Sequence, residues 1–248
     1  MPQFIRDFIE KTKSKYSSVP PQELKTVPQP PLELPIPPET ELIPLPAPKD
    51  LQISDIGLRK AVEQRRSHRA YTGKALSIEE LSYLLWMTQG VKKVSPRPVT
   101  LRNVPSAGAR HAFETYLLVN AVDGLTPGLY RFAAIEHALV RIDAPGTINA
   151  DVTRACYEQG QVASSAVTFL WAAVSERMTW RYVERGFRYL LLDAGHVCQN
   201  LYLAAEAVHC GVCAIAAYDD DEINTVLCLD GESQWVIYVA SLGKINHE

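Results

Sequence analysis

Residues 189–218, YLLLDAGHVCQNLYLAAEAVHCGVCAIAAY, set the class of fold. The first part, residues 189–211, is long and mostly apolar, which predicts a helix that Gly211 stops. VCAIAAY, residues 212–218, predicts a strand directly afterwards. Because the segments on either side add helices and strands in no regular βαβ alternation, we predict an α+β fold rather than a doubly wound sheet.

The other elements are predicted from local patterns. Ser77 with Glu80 three residues later is a capping-box signature, and it starts a helix, SIEELSYLLWMTQG, that closes at Gly90. Further elements are a helix in DIGLRKAVEQRRS, strands at 113–122, within 128–143, at 164–174 and at 234–244, and a short helix in DDDEINTVLCL.

Length and composition indicate one soluble globular domain. A chain of 248 residues buries a full core, and its 47% hydrophobic and 21% charged residues are ordinary for a soluble protein. No apolar run approaches the roughly 20 residues of a membrane span, and the N-terminus does not resemble a secretory signal. We therefore expect a cytoplasmic protein without membrane contact, and a net charge of −3 offers no general attraction for nucleic acid.

The N-terminal segment, residues 1–52, differs in composition from the body that starts at Ile53. Val19–Pro48 contains eleven prolines interleaved with aliphatic residues. Proline at that density excludes helix and sheet interiors and favours extended polyproline II structure. Two interpretations stay open: a disordered linker, or an ordered arm laid across the body or across a partner subunit.

Several common active-site signatures are missing. There is no G-x-G-x-x-G after a strand, no P-loop, no G-x-S-x-G and no H-E-x-x-H. CGVC, residues 210–213, straddles a helix end and a strand start, whereas a redox pair normally lies at a helix N-terminus. The histidines fall in different elements, so we predict no metal site, and His196 is expected to be a packing residue.

Two segments carry the functional prediction. RRSHRAYTG, residues 65–73, concentrates three guanidinium groups beside a hydroxyl, and guanidinium groups are suited to phosphate. In PSAGARH, residues 105–111, Ser106, Ala107 and Gly108 present almost no side chain, so a flat ligand could approach their backbone. A planar heterocycle with a phosphate tail, such as flavin mononucleotide (FMN), would use both. Taken singly, the segments could also be a solvated basic face and an ordinary loop.

These segments, with 188–231 and IYVASLGK, occur in the order typical of a known family. The chain resembles the flavin-dependent nitroreductase superfamily, and within it the SagB-type oxidoreductases that include azoline oxidases. The resemblance spans nearly all of residues 58–244. It implies a nitroreductase-like mixed or antiparallel sheet flanked by helices, residues 53–248 as the FMN-binding domain, and a homodimer with its sites at the subunit interface.

The resemblance also implies roles for individual residues. The arginine segment would hold the FMN phosphate and ribityl chain, the small-residue loop would meet the isoalloxazine from the other subunit, and the strand after the long helix would place backbone near the ring. The implied cofactor-binding residues are Arg65, Arg66, Ser67, Arg69, Pro105, Ser106, Ala107, Gly108, Gln199, Ile215, Ala216, Ala217 and Lys244.

One departure from the family pattern concerns catalysis. Azoline oxidases of this group carry a Lys-Tyr pair before the long helix, and here the pair is Arg181 and Tyr182. An arginine stays protonated and cannot act as a general base, whereas a buried lysine can. Arg181 and Tyr182 stay catalytic candidates that could steer an anionic substrate or donate hydrogen bonds.

Three functions follow from the sequence. The first is an FMN-dependent oxidoreductase that passes hydride through flavin N5 and acts on a small molecule or a peptide. The second is an NAD(P)H-dependent reductase of nitroaromatics or quinones, which needs no Rossmann motif if the nicotinamide stacks transiently on the flavin. The third belongs to another class, a non-catalytic module that binds flavin or another anion.

Overall fold

The structure, a computed structural model, describes residues 1–16 and 27–246. The helices of these residues are α1 Gln3–Lys11, α2 Leu58–Gln64, α3 Ile78–Gln89, α4 Ile148–Ala155, α5 Gly160–Ala163, α6 Ser175–Tyr182, α7 Arg185–Ala207 and α8 Asp220–Val226. The strands are β1 Leu42–Pro44, β2 Val91–Val94, β3 Thr100–Arg102, β4 Phe113–Val119, β5 Gly128–Ala133, β6 Ala138–Ile142, β7 Val167–Val174, β8 Cys210–Ile215 and β9 Gln234–Lys244. In the described ranges, no helix is long and apolar enough to cross a membrane.

Seven of these strands form one sheet in the order β1-β6-β5-β4-β7-β9-β8. Every neighbouring pair is antiparallel, which confirms the predicted α+β class and decides for an antiparallel sheet rather than a mixed one. β2 and β3 pair separately as a hairpin. The central strands β4 and β7 are buried along their whole length. They are therefore covered on both faces, which explains why β7 is a continuous apolar run without alternation.

Helices cover both faces of the sheet and enclose two cores. The larger core includes Leu84 of α3, Leu190 and Leu201 of α7, and Trp171 of β7. The smaller core, on the other face, includes residues of α4 and α8. The architecture is therefore three-layered, with α7 lying between the sheet edge and the surface.

The long helix differs from its prediction at both ends. α7 begins at Arg185 and ends at Ala207, and His209 follows with a left-handed φ of 54°. Gly211, expected to stop the helix, lies inside β8, where a close neighbour requires it. The strand prediction through residue 218 was also too long, because β8 ends at Ile215.

The other local predictions hold with smaller differences. The capping box of α3 is present, with the Glu80 N–H donating to Ser77 Oγ and the Ser77 N–H donating to the Glu80 carboxylate. The segment 128–143 is a hairpin of two strands, β5 and β6. In α2, Ala61 is buried while Leu58 and Val62 are exposed, so the helix was predicted correctly but only one of these three apolar residues faces the core.

From residue 27 onward, the proline-rich arm lies on the body of its own chain. The backbone at Leu34 donates to the buried Glu114 carboxylate at 2.8 Å and accepts from Arg131 at 3.1 Å. Arg177, also buried, pairs with Glu114 at 2.6 Å and donates to the carbonyl of Pro31. β1 then joins the sheet edge beside β6. This is the ordered-arm alternative, while residues 17–26 of the arm lie outside the described residues.

Candidate functional site

The arginine segment, residues 65–69, follows α2 and lies along the edge strand β8. Ser67 forms a parallel bridge with Val212, and the His68 N–H donates to the Val212 carbonyl at 2.9 Å. The segment is therefore joined to the sheet edge by one isolated bridge, which fixes its backbone there.

Two glycines that face each other admit this segment to the sheet. Gly211 of β8 pairs with Gly243 of β9. A Cβ at Gly211 would lie 2.5 Å from His68 Cβ, and one at Gly243 would lie 2.7 Å from Tyr71 Cγ. Tyr71 is anchored there by its hydroxyl, 2.8 Å from Ser241 Oγ. These contacts give Tyr71 a packing role at the sheet edge.

One face of the arginine segment meets Tyr202 of α7. Arg65 holds its guanidinium carbon 5.3 Å from the centre of the Tyr202 ring, and Ser67 Oγ is 3.0 Å from the Tyr202 hydroxyl. The same hydroxyl accepts a hydrogen bond from the Ala214 N–H at 2.9 Å. Tyr202 thus ties the arginine segment, α7 and β8 together.

Arg66 lies elsewhere. With His68, it lines a cavity of about 410 Å³ that also includes Glu63 and Glu206. Arg69 is exposed. Within residues 1–16 and 27–246, neither Arg65, Arg66 nor Arg69 forms an ion pair. The structure therefore separates two arginines that the sequence could not tell apart, and it places Arg65 and Ser67 together.

The small-residue loop, Pro105–Gly108, is held from below by Asp193 of α7. The Ala107 N–H donates to the Asp193 carboxylate at 3.3 Å, and Ser106 Oγ accepts from the His111 N–H at 2.9 Å. Burial raises the pKa of Asp193, while hydrogen bonds from Ser106 and Ala107 oppose that shift. The loop is a pre-formed surface and not a mobile connection.

Arg181 and Tyr182 lie against the same loop. A Cβ at Gly108 would be 2.3 Å from the Tyr182 hydroxyl oxygen and 3.3 Å from Arg181 Nε. Gly108 also has a left-handed φ of 58°. The Tyr182 ring meets Tyr189 edge-on, with centroids 4.8 Å apart. The pair predicted from the family pattern is therefore next to the loop predicted for the ring.

The loop and the arginine segment lie on opposite sides of α7. Asp193 supports one and Tyr202 the other, and nine residues are two and a half helical turns, or about 14 Å along the axis. On the turns that precede Asp193, α7 exposes an apolar face: Leu191 and Leu192 are each 56% exposed and Phe187 is 41% exposed. We call Phe187, Leu191 and Leu192 the α7 face.

His196 and Gln199 also lie on the exposed side of α7. The His196 side chain is 51% exposed and 4.0 Å from Asp193, so the expectation of a packing histidine was wrong. The reason is its position on the helix, which the apolar neighbours in sequence did not reveal. Gln199 is exposed one turn before Tyr202.

The remaining cofactor candidates differ in accessibility. Ala216 and Ala217 are exposed just past the end of β8. The Lys244 ammonium pairs with the carboxylate of Glu80 and donates to the carbonyl of Val208 at 2.8 Å. Lys244 is thus paired with a capping residue of α3. The two alanines are exposed, and the Ala217 carbonyl accepts a hydrogen bond from Gln159 at 2.8 Å.

The CGVC cysteines are buried in β8. Burial raises the pKa of the Cys210 thiol to about 12, which disfavours the thiolate. In the described part of the chain, no three His, Cys, Asp or Glu side chains come together where they could hold a metal ion.

Sequence reasoning missed Asp193 and Tyr202, which position the two halves of the site. Both are polar side chains that interrupt the mostly apolar pattern of α7, and both are buried. Because buried polar groups need partners, that interruption was a usable signal.

Comparison with known proteins identifies the family. The nitroreductase family profile matches residues 62–244, and the chain belongs to the nitroreductase family. A protein of Methanocaldococcus jannaschii named as a nitroreductase is 34% identical over 175 residues, which are 71% of this chain and 86% of that protein. The resemblance predicted from the sequence is confirmed.

More distant relatives are longer than this chain. The trifolitoxin operon protein TfxC of Rhizobium leguminosarum bv. trifolii is 28% identical over 192 residues, 72% of this chain and 53% of TfxC. The crystal structure of an Anabaena variabilis protein named as a nitroreductase has a TM-score of 0.64 at 30% identity, covering 76% of this chain and 38% of that one. The chain therefore spans about half of TfxC and less than half of the Anabaena protein.

Proposed function

We propose that the protein is an FMN-dependent oxidoreductase of the SagB type. The observation that carries the proposal is the arginine segment: Arg65 and Ser67 share one face and Arg69 is exposed, and these arginines have no ion-pair partner among the described residues. Guanidinium groups and a hydroxyl held by a fixed backbone are a donor set for a terminal phosphate. The small side chains of Ser106, Ala107 and Gly108, and of the exposed Ala216 and Ala217, leave room for a flat ring.

The proposal includes a homodimer. One chain places the loop and the arginine segment on opposite sides of α7, so a single chain does not enclose one ligand with both. The exposed α7 face, on the turns just before Asp193, needs a cover, because large exposed apolar patches usually mark interfaces. A second copy docked there would reach both halves and complete two sites by symmetry.

Each residue has a definite task in this proposal. FMN, when bound, supplies reversible hydride transfer. Arg65, Ser67 and Arg69 hold the phosphate and fix the position of the ring. Tyr182, whose hydroxyl lies against Gly108, donates a hydrogen bond or a proton at the loop. Arg181 supplies positive charge and no base, because a guanidinium has donors and no acceptor.

The direct test is the absorption spectrum of the purified protein. We expect a flavin spectrum, either as isolated or after incubation with FMN and removal of excess ligand. A colourless protein that retains no FMN contradicts the proposal and favours the non-catalytic module. Stopped-flow mixing with NADH and NADPH then tests the reductase alternative, since slow or absent bleaching by both speaks against it.

A further inference from the structure

A groove lies between the β2–β3 hairpin and the small-residue loop. Its volume is about 530 Å³, and Pro105, Ser106 and Ala109 form its loop side. On the hairpin side it is lined by Lys92, Lys93, Leu101 and Arg102, with Val104 and His111 between. We call this the hairpin groove. It opens beside the loop proposed to meet the flavin ring.

The described residues that line the hairpin groove carry positive charges and no negative charge. No carboxylate occurs among the described residues that line it, whereas three of them are cations. Consecutive strand residues normally point to opposite faces, yet both Lys92 and Lys93 reach the groove. The pairing of β2 with β3 shifts register between Val91 and Lys93, and such a bulge redirects side chains. The bulge therefore gathers two lysines on one side.

Arg102 is the unusual member of the lining. Its side chain is only 7% exposed, and its hydrogen bonds go to neutral acceptors: Thr100 Oγ1 at 3.1 Å and the Gln89 side-chain oxygen at 2.9 Å. A buried charge normally pairs with an opposite charge, because desolvation of an unpaired ion is costly. Burial lowers the pKa of Arg102, and the charges of Glu114 and Glu33 oppose that shift without a hydrogen bond to the guanidinium among the described residues. The Arg102 guanidinium therefore keeps hydrogen-bonding capacity at the wall of the groove for an anion from outside.

The positive potential continues around the loop. Burial lowers the pKa of Arg110, and the charges of Arg181 and Arg97 lower it further. Burial lowers the pKa of His111 to about 3, with Arg102 and Arg110 acting in the same direction. His111 is therefore neutral at physiological pH, and the region keeps its excess of guanidinium charge.

We propose that the hairpin groove binds an anionic group, a carboxylate or a phosphate, of the molecule that reacts at the small-residue loop. Lys92 and Lys93 form the accessible rim, and Arg102 forms the wall. The inference rests on the proposed function, because the loop is the ring-facing surface in that proposal. The groove selects for a ligand whose charge lies to one side of its reacting part.

Anion binding to the FMN-treated full-length protein tests the groove by isothermal titration calorimetry. Inorganic pyrophosphate is the phosphate probe and a penta-glutamate peptide is the carboxylate probe. We expect binding of at least one, weakened by added salt, and a loss of about tenfold or more in affinity for Lys92→Glu/Lys93→Glu. The matched control, Lys49→Glu/Lys74→Glu, makes the same charge change on exposed lysines outside the groove and should bind like the wild type.

The outcomes separate the possibilities. Binding of pyrophosphate alone assigns the groove to a phosphate, and binding of the peptide alone assigns it to a carboxylate. If neither probe binds, or if the Lys92 and Lys93 variant binds as well as the control, the inference is wrong. FMN retention is measured on the same samples. FMN uptake without anion binding refutes only the groove, whereas anion binding without FMN uptake refutes the proposed function and leaves the groove as an anion site.

Discussion

Replacing Arg65 and Arg69 by alanine should release FMN while the fold survives. In the structure these arginines form no ion pair among the described residues, and Arg65 makes one contact with the Tyr202 ring at 5.3 Å. The lost cation–π contact is worth about 0.5–1 kcal/mol of folding stability at an exposed site. A charge-assisted hydrogen bond to phosphate is worth about 1.5–3 kcal/mol, so the double variant should lose about 3–6 kcal/mol of FMN binding.

The assay is an FMN titration followed by flavin fluorescence, with a thermal melt of each variant. The expected loss corresponds to a rise in the FMN dissociation constant of about 10²- to 10⁴-fold. Arg59→Ala is the matched control, because the Arg59 side chain, six residues upstream of Arg65, is 89% exposed and, among the described residues, pairs with Glu63 alone. Arg66→Ala distinguishes the two neighbouring arginines and should bind FMN nearly as tightly as the wild type.

Two results would refute this reasoning. Tight FMN retention by the Arg65→Ala/Arg69→Ala variant would show that the phosphate is bound elsewhere. A larger loss in Arg66→Ala than in Arg65→Ala would show that the cavity beside Glu63, not the face beside Tyr202, receives the phosphate.

Three further predictions concern assembly and stability. Leu192→Glu, on the α7 face, should convert a dimer to a monomer in size-exclusion chromatography and weaken FMN binding; an unchanged elution volume would contradict the interface. Glu114→Gln leaves Arg131 and Arg177 buried without their carboxylate, so guanidinium unfolding should show a loss of about 3–5 kcal/mol, and a loss below 1 kcal/mol would contradict it. Burial raises the pKa of Glu33 from 4.5 to about 7, so the folded state holds this proton more tightly, and the stability it contributes below pH 4.5 is lost as the pH rises through about 7. Glu33→Gln should flatten that pH dependence of unfolding; an unchanged profile would assign it to another group.

Local sequence signals predicted most of the fold. The capping box fixed the start of α3, and the continuous apolar run of β7 indicated a strand buried on both faces. These features depend on neighbours within a few residues, so they can be recognised without tertiary information. The end of α7 could not be predicted, because Gly211 resembles a helix stop but lies in β8, where its missing side chain admits His68 from a distant part of the chain.

The candidate site, like the fold, could be predicted from the sequence only in part. The arginine segment and the small-residue loop were found from composition, since each concentrates its chemistry in a few consecutive residues. The difference between Arg65 and Arg66 depends on which side chain meets Tyr202, a contact across more than a hundred residues. Likewise, the basic hairpin groove depends on a bulge between Val91 and Lys93 and on the burial of Arg102, neither of which has a local signature.

Arg181, at the position where the azoline-oxidase pattern has a lysine, lies beside Gly108. A lysine there could shed its proton, whereas the Arg181 guanidinium only donates hydrogen bonds, so Arg181 cannot serve as a general base. Arg181 and Arg97 both lower the pKa of Arg110, so several positive charges lie close together beside this loop. We therefore infer that a reaction at this loop which needs a base takes it from the substrate or the solvent, with Tyr182 as the nearby hydroxyl that can relay the proton.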